Sequence, residues 1–503
     1  MTKYLLGVDI GTGSSKGVLI EADTGTVFAQ ASIMHGASLP YPGWVEQDAE
    51  EIWWGEFVQI TRELLQESEV NPLDILGVGV SGIGPCVLPV DEDFNPLRPA
   101  ILYGIDTRAT AEVDQYLFEL GEEEVFRRSG SSLDSSSLAP KILWLANNEP
   151  DVYDNARWFL TSQNFIVARL TGKASIDNYS ASTYSPIIEV ENRQWIDQTT
   201  AGINPIDKLP QKYWTTEIIG GVTPNAALIT GLAQGTPVIG GTIDAAAEAV
   251  SIGNSQVGET MGMFASSNSI IALTDNYTRS KTFWGLNWLF PNQFAVVGGM
   301  ATVGSMTKWF LENIFKPSPD MPDENPYAQM TEFLNMSNPG ANNLVALPYF
   351  EGERTPVNDP IAKGAFFGLT LRHTQADLYR ALLESVGYGI RHNLEKLAQE
   401  GIQVNLINAV GGGSKNLGWM QIISEIAEVE VRVPQGISGA AYGDAILAGI
   451  GIGLYKDASQ AKIWDHDALH LTPSHADSER YQRLYRVYRS LYHQTKNLLP
   501  LLK

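Results

Sequence analysis

The chain has 503 residues, more than one hydrophobic core supports, so two or more domains are expected. Its 44% hydrophobic content, 47 glycines and 26 prolines suit a globular protein, and 57 acidic against 34 basic residues leave a net charge of −23. That balance argues against nucleic-acid binding and means that an anionic substrate must be attracted by local groups or a metal ion. Cys86 is the single cysteine, which excludes an internal disulfide and fits a reducing compartment. No basic leader with an apolar segment opens the chain, and no apolar run reaches about 18 residues, so a cytoplasmic protein with no membrane partner is expected.

In chain order, "LLGVDIGTGSSKGVLIEAD" predicts strand, tight turn, strand, and "TVFAQASI" a third strand. "DAEEIWWGEFVQITRELLQES" predicts an amphipathic helix with acidic residues in its first turn. "ILGVGVSG" is a buried strand and "RATAEVDQYLFELGEEEVF" another helix. "RRSGSSLDSSSLAP" is a loop, after which "KILWLANNEP" and "ARWFLTSQNFIVARLTG" resume helical texture. "GTPVIGGTIDAAAEAVSIG" predicts a buried strand, a Gly-rich turn and a helix opening at Asp244. "KPSPDMPDENP" is a Pro-rich connector expected to form a mobile loop, and "INAVGGGSKNLGWMQIISEIAE" repeats strand, Gly turn and helix. Strands alternate with helices throughout, so the class is α/β. "GMFASSNSIIAL", from Gly262, echoes the opening hairpin with a shorter turn, and Phe264 falls opposite Asp9. The echo suggests a duplicated fold.

The opening turn has Gly11 and Gly13, but Lys16 stands where a dinucleotide fingerprint needs its third glycine, and a strand follows in place of a helix. The P-loop pattern fails as well, since no Gly precedes Lys16 and no Ser or Thr follows it. The single cysteine and the absence of an H-E-x-x-H motif argue against a zinc enzyme, and no G-x-S-x-G nucleophile elbow is present. What remains is Asp9 and Asp244, each ending an apolar strand beside glycine. Small residues allow close backbone approach to phosphate, and a carboxylate there would repel phosphate unless a divalent cation such as Mg²⁺ lay between them. An ordinary polar hairpin turn accounts for the first site equally well, and a helix N-cap for Asp244. In "AYGDAILAGIGIGLY" the glycines suit helix packing, and Asp444 is expected to be merely solvated.

Taken together, "GVDIGTGSSKGVLIE", "PGWVEQDAEEIWW", "NPLRPAILYGIDTRA", "GTPVIGGTIDAAAEAVSIG", "PYFEGERTPVNDPIAKGAFFGLTL", "LYRALLESVGYGIRHNLEKL", "AVGGGSKNLGWMQI" and "GAAYGDAILAGIG" resemble the FGGY family of carbohydrate kinases, most of all its xylulokinase branch. The resemblance runs in order from about residue 4 to about residue 455. It implies two actin-like, ribonuclease-H-like α/β domains, 1–246 and 247–503, with ATP and sugar in the cleft between them. It also implies transfer of the ATP γ-phosphoryl group to a sugar hydroxyl. By residue, Asp9 matches the acid at the Mg²⁺–phosphate site, and Thr12, Gly13 and Ser14 the phosphate turn. Asp244 matches the catalytic base, Ser266 and Ser267 the second phosphate hairpin, and Gly411, Gly412 and Gly413 the adenosine turn.

The sequence departs from the family where the sugar is read. Xylulokinases usually carry His near Pro85, and glycerol kinases an Arg–Glu pair at Gly84–Pro85; Gly84, Pro85 and Cys86 offer no charge. Glycerol is therefore argued against, and sugar contacts are expected from Trp44, Gln47, Asp106 and Asp244, with a preference broader than or different from that of xylulokinases. "ILYGIDTRA" is one residue longer than the usual W-x-D-x-R pattern, with Tyr103 in the Trp position; Asp106 and Arg108 match its polar pair, and a structural ion pair explains them too. Ser438 replaces a common Glu near the adenosine turn. The expected activity is phosphorylation of D-xylulose, with another ketose, a sugar acid or an alditol (ribulose, gluconate) as alternatives. The contrasting class, a non-catalytic sugar or nucleotide sensor, would need neither Asp9 nor Asp244. The oligomeric state is left open, a homodimer included.

Overall fold

The run YLLGVDI, Tyr4–Ile10, is buried along its whole length, as an apolar run without alternation requires of a strand covered on both faces. The computed structural model describes residues 2–315, 326–436 and 439–502. The Pro-rich connector from 316 to 325, and Ser438, lie outside the described residues. Two compact units are present: Met1–Ser255 with Thr274–Ala295 and Gly436–His466, and Gln256–Leu273 with Val296–Gln435 and Asp467–Lys503. Two segments of the C-terminal half, 274–295 and 436–466, thus belong to the first unit.

The first unit holds a seven-stranded mixed sheet. Its path runs Ile218–Gly221, Pro237–Ile239, Ile75–Gly82, Tyr4–Ile10, Ser14–Glu21 and Val27–Met34, and Thr242–Ile243 adds on beside Ile75–Gly82. Tyr4–Ile10 and Ser14–Glu21 form the antiparallel hairpin expected from the opening stretch, while Tyr4–Ile10 and Ile75–Gly82 are parallel. Val27–Met34, at the edge, alternates in burial as a half-covered strand should.

Side chains alternate along a strand, so Gly7 and Asp9 share one face with their partners Gly79 and Ser81. The helix Ala440–Gly451 lies on that face so tightly that a Cβ on Gly7 would meet the Ala441 carbonyl oxygen at 1.9 Å, and one on Gly79 the Asp444 carbonyl oxygen at 2.1 Å. A Cβ on Gly443 would likewise meet the Ala247 carbonyl oxygen at 1.9 Å, so this helix also packs backbone to backbone on Asp244–Ser251. The packing role expected for the glycines of this helix holds at Gly443. On the opposite face, a Cβ on Gly17 would meet Ile60, on the amphipathic helix Glu56–Ser68. That helix enters through a wide π-type turn, Ala49–Gly55, capped by Asp48, whose side chain accepts from the Glu51 N–H.

The stretch expected as one helix over "RATAEVDQYLFELGEEEVF" is two, Thr110–Leu120 and Glu122–Ser129. Gly121, at φ +79°, ends the first, a conformation that costs glycine little.

In the second unit, Asn268–Thr274, Glu259–Phe264, Leu406–Val410, Glu430–Val433 and Leu469–Leu471 lie side by side in that order. Glu259–Phe264 and Asn268–Thr274 form a hairpin, and Glu259–Phe264 is parallel to Leu406–Val410. Each unit therefore contains an antiparallel hairpin whose first strand has a parallel partner, the arrangement the sequence echo suggested. The 25-residue helix Gln375–Gln399 packs over this unit's core, opened by a capping box of Thr374 and Asp377.

Candidate active site

Three parallel strands of the first unit deliver the acids to one sheet edge. Asp9 is in register with Ser81, Ser81 with Thr242, and Asp244 follows two residues later as the first residue of its helix. The side chain of Asp244 accepts from the next residue's N–H, Ala245, at 2.7 Å, and makes no N-cap bond. Asp9 is buried and accepts from the Ser81 hydroxyl at 3.1 Å.

The turn after Asp9 is held from behind. His35 Nε2 donates to the Gly11 carbonyl at 2.9 Å, Gln47 Nε2 to the Thr12 carbonyl at 3.0 Å, and the His35 backbone N–H to the Gly13 carbonyl at 3.1 Å. A trans peptide sets its N–H opposite its C=O, so these three anchors turn the N–H groups of Thr12, Gly13 and Ser14 the other way. Three successive donors form a concavity suited to an anion. A Cβ on Gly13 would meet nothing within 4 Å, so space is open at the turn. His35 is fixed in turn, with Nδ1 2.8 Å from Glu56 Oε2. The sequence reading missed both His35 and the anchoring role of Gln47, because neither is near the turn in the chain.

Burial and mutual repulsion shape the charges. Burial pushes the Asp244 carboxyl up to about 8, assisted by the negative charge of Asp9. Burial raises Asp9 to about 6 against the opposing pull of the Ser81 hydrogen bond, Lys16 and His35. Glu248, one helical turn beyond Asp244, is raised to about 7 by burial and by Asp9. Asp444 corrects an expectation: it is wholly buried rather than solvated, and its Oδ2 lies 2.6 Å from the Ser81 hydroxyl oxygen. Its helix is clamped to the sheet through the glycines described above, which leaves that side chain no route to water.

Oxygen donors that repel one another in this way suit a hard cation. Among the described residues no three His, Cys, Asp or Glu side chains group to hold an ion alone. An ion at Asp9 would draw its remaining ligands from phosphate and water, the usual habit of Mg²⁺. The carboxylate and the adjacent anion turn together fit a metal–nucleotide.

The residues expected to read sugar fall into two settings. Gln47 is tied to the phosphate turn, donating to Thr12 and accepting from Trp53 Nε1 at 2.9 Å. Asp106 is fully buried and accepts from the Val45 N–H and from Arg108 Nε and Nη2. The Arg108 guanidinium also reaches Glu46 and sits 4.1 Å from the Trp44 ring centroid. Lys141, also buried, donates to the carbonyls of Leu102, Tyr103 and Ser135, and burial lowers its ammonium to about 8. Gly84 packs against Ile243, and Cys86 is buried with its thiol donating to the Ile83 carbonyl.

In the second unit, Ser266 and Ser267 lie in the hairpin turn after Glu259–Phe264, and Gly411–Gly413 follow the parallel strand Leu406–Val410, so both turns emerge at one edge. The Ser266 carbonyl is pinned by the N–H groups of Val303 and Ser305 and by the Ser305 hydroxyl, repeating the device of the first hairpin. Gly411 approaches Phe264 so closely that a Cβ would meet its carbonyl oxygen at 2.6 Å. Among the described residues no helix is long and apolar enough to cross a membrane.

Comparison with known proteins gives matches over most of the chain. The N-terminal domain of the FGGY family of carbohydrate kinases matches residues 4–251, and the C-terminal domain residues 250–452. A protein of Staphylococcus xylosus named xylulose kinase is 27% identical over 495 residues, 97% of this chain and 99% of that one. A gluconokinase of Bacillus subtilis is 28% identical over 477 residues, 93% of this chain and 90% of its own. The crystal structure of xylulose kinase from Rhodospirillum rubrum superposes with a TM-score of 0.89 at 30% identity, covering 99% of this chain and all of that one (100%).

Proposed function

The chain belongs to the FGGY family of carbohydrate kinases, with that family's two-domain actin-like fold, and from this premise we propose that it transfers the γ-phosphoryl group of ATP, with Mg²⁺, to a hydroxyl of a neutral ketopentose such as D-xylulose. Asp244 is the general base, half-buried and raised towards the pH at which it works, and it takes the proton of the attacking hydroxyl. The N–H groups of Thr12, Gly13 and Ser14 hold phosphate oxygens, Asp9 serves the metal, Ser266 and Ser267 form the second phosphate turn, and Gly411–Gly413 receive adenosine. The metal, when bound, neutralises charge on the transferring phosphoryl group.

One observation favours a neutral sugar over a sugar acid. Beside Trp44 and Asp106 the nearby cations are committed, Arg108 to Asp106 and Glu46, Arg98 to Glu46 and Glu149, and Lys141 to three carbonyls. A carboxylate placed there would find its counter-charges already engaged, which costs affinity that a hydroxylated ketose does not forgo. ADP release should be measured across ketoses, alditols and aldonates. A ketopentose should lead; gluconate in first place overturns the neutral-sugar reading, and sugar binding without ADP release on any member supports the sensor.

Asp9→Ala should raise the divalent-ion concentration needed for half-maximal rate by about tenfold or more, on the scale of lost metal-site partners. The order of preferred sugars should not change. An altered sugar order with unchanged metal dependence would move Asp9 from the phosphate end of the site to the sugar end.

A further inference from the structure

Asp444 is a buried carboxyl that the proposed phosphoryl transfer does not use. It sits on Ala440–Gly451 with Oδ2 2.6 Å from the Ser81 hydroxyl oxygen, and the same hydroxyl is 3.1 Å from Asp9 Oδ1. Its other oxygen, Oδ1, finds no hydrogen-bond partner. A serine hydroxyl has one hydrogen to give, so it cannot donate to two carboxylates at once. Both short contacts become hydrogen bonds when Asp444 donates to Ser81 and Ser81 donates to Asp9, a directed chain that ends on the Asp9 carboxylate. Burial, which holds the Asp444 carboxyl well above the usual range, agrees with that direction. The helix carrying Asp444 cannot come closer, since the Asp444 carbonyl oxygen already abuts Gly79.

We propose that Asp444 is a positioning residue: through the Ser81 hydroxyl it fixes the rotamer of Asp9 for the metal–phosphate end of the site. The proposal rests on the phosphate-side role given to Asp9 above. Loss of such an outer partner typically weakens metal affinity by about 10–100-fold.

The test is Mn²⁺ binding in the presence of a non-hydrolysable ATP analogue, followed by electron paramagnetic resonance, with thermal melting alongside. Asp444→Leu should melt no lower than the parent, since an apolar group replaces a buried carboxyl, yet bind Mn²⁺ about 10–100-fold more weakly. Asp444→Asn should restore binding, because its amide N–H donates to Ser81 as the acid does. Ser81→Ala cuts the same chain at its middle and should reproduce the weakening even if Asp444→Leu does not fold. Parent-like Mn²⁺ binding by Ser81→Ala, or by a folded Asp444→Leu, overturns the proposal. Asp9→Ala separates the two ideas. If it weakens Mn²⁺ binding while Ser81→Ala does not, only the positioning role fails; if Asp9→Ala binds as the parent does, the role of Asp9 fails and the positioning role with it.

Discussion

Asp244→Asn should reduce kcat by about 10²–10⁴-fold, the usual effect of removing a general base, while nucleotide binding and the fold are kept. Asn fills the same space and its side-chain oxygen can still accept from the Ala245 N–H, so the start of the helix is undisturbed. Single-turnover measurement with saturating nucleotide isolates the step, and near-parental kcat would falsify the assignment of the base. The same variant has a signature in stability. In the native state burial, and then Asp9, raise the Asp244 carboxyl from 3.8 to about 8. Between those values the native state holds a proton that the unfolded chain has released, so parental stability falls as pH rises across the window. Asn does not titrate. The melting advantage of the variant should therefore be absent near pH 4, grow towards pH 8 and then level off, measured without nucleotide or metal. The pH profile of kcat/KM gives the kinetic counterpart: an acid limb in the parent from protonation of the base, and none in the variant.

Gly79→Ala should destabilise the first unit by at least about 3 kcal/mol, at the upper end of overpacking effects. The added methyl carbon would meet the Asp444 carbonyl oxygen at 2.1 Å and its carbonyl carbon at 2.7 Å. These are backbone atoms, so no rotamer change relieves the clash, and the helix must retreat by on the order of an ångström to reach normal contact distance. That helix also meets Gly7 and, through Gly443, the helix of Asp244, so the retreat spreads to the neighbours of both acids. Gly13→Ala, where a Cβ meets nothing within 4 Å, is the control and should melt with the parent. Equal melting of Gly79→Ala and the parent would show that the helix does not lie as close as described.

Much of the site was legible because it depends on local pattern. An apolar run that ends near Asp and Gly marks the end of a buried strand, and Asp9 and Asp244 stand at the ends of the two strands that flank Ile75–Gly82. The opening hairpin, the strand over Ile75–Gly82, the helix beginning at Asp244 and the Gly turn at 411–413 all follow from turn chemistry and burial period. The second hairpin was visible as an echo because both hairpins need small residues where the chain reverses.

The tertiary structure decided what local pattern cannot encode. The stretch "RATAEVDQYLFELGEEEVF" has the pattern of one helix, and only the positive φ of Gly121 splits it in two. The anchoring of the phosphate turn by His35 and Gln47 depends on how strand and helix return past it, since the three carbonyls they bind carry no sequence mark. Asp444 is the clearest case. Its carboxyl is the one charge in an otherwise apolar helix; the face of that helix that meets the sheet is chosen by glycines at 7 and 79, and Ser81, its partner, lies 363 residues away. Sequence fixes periodicity and backbone freedom residue by residue; which buried faces meet is settled by close packing between segments remote in the chain, and with it the charge environment of the acids.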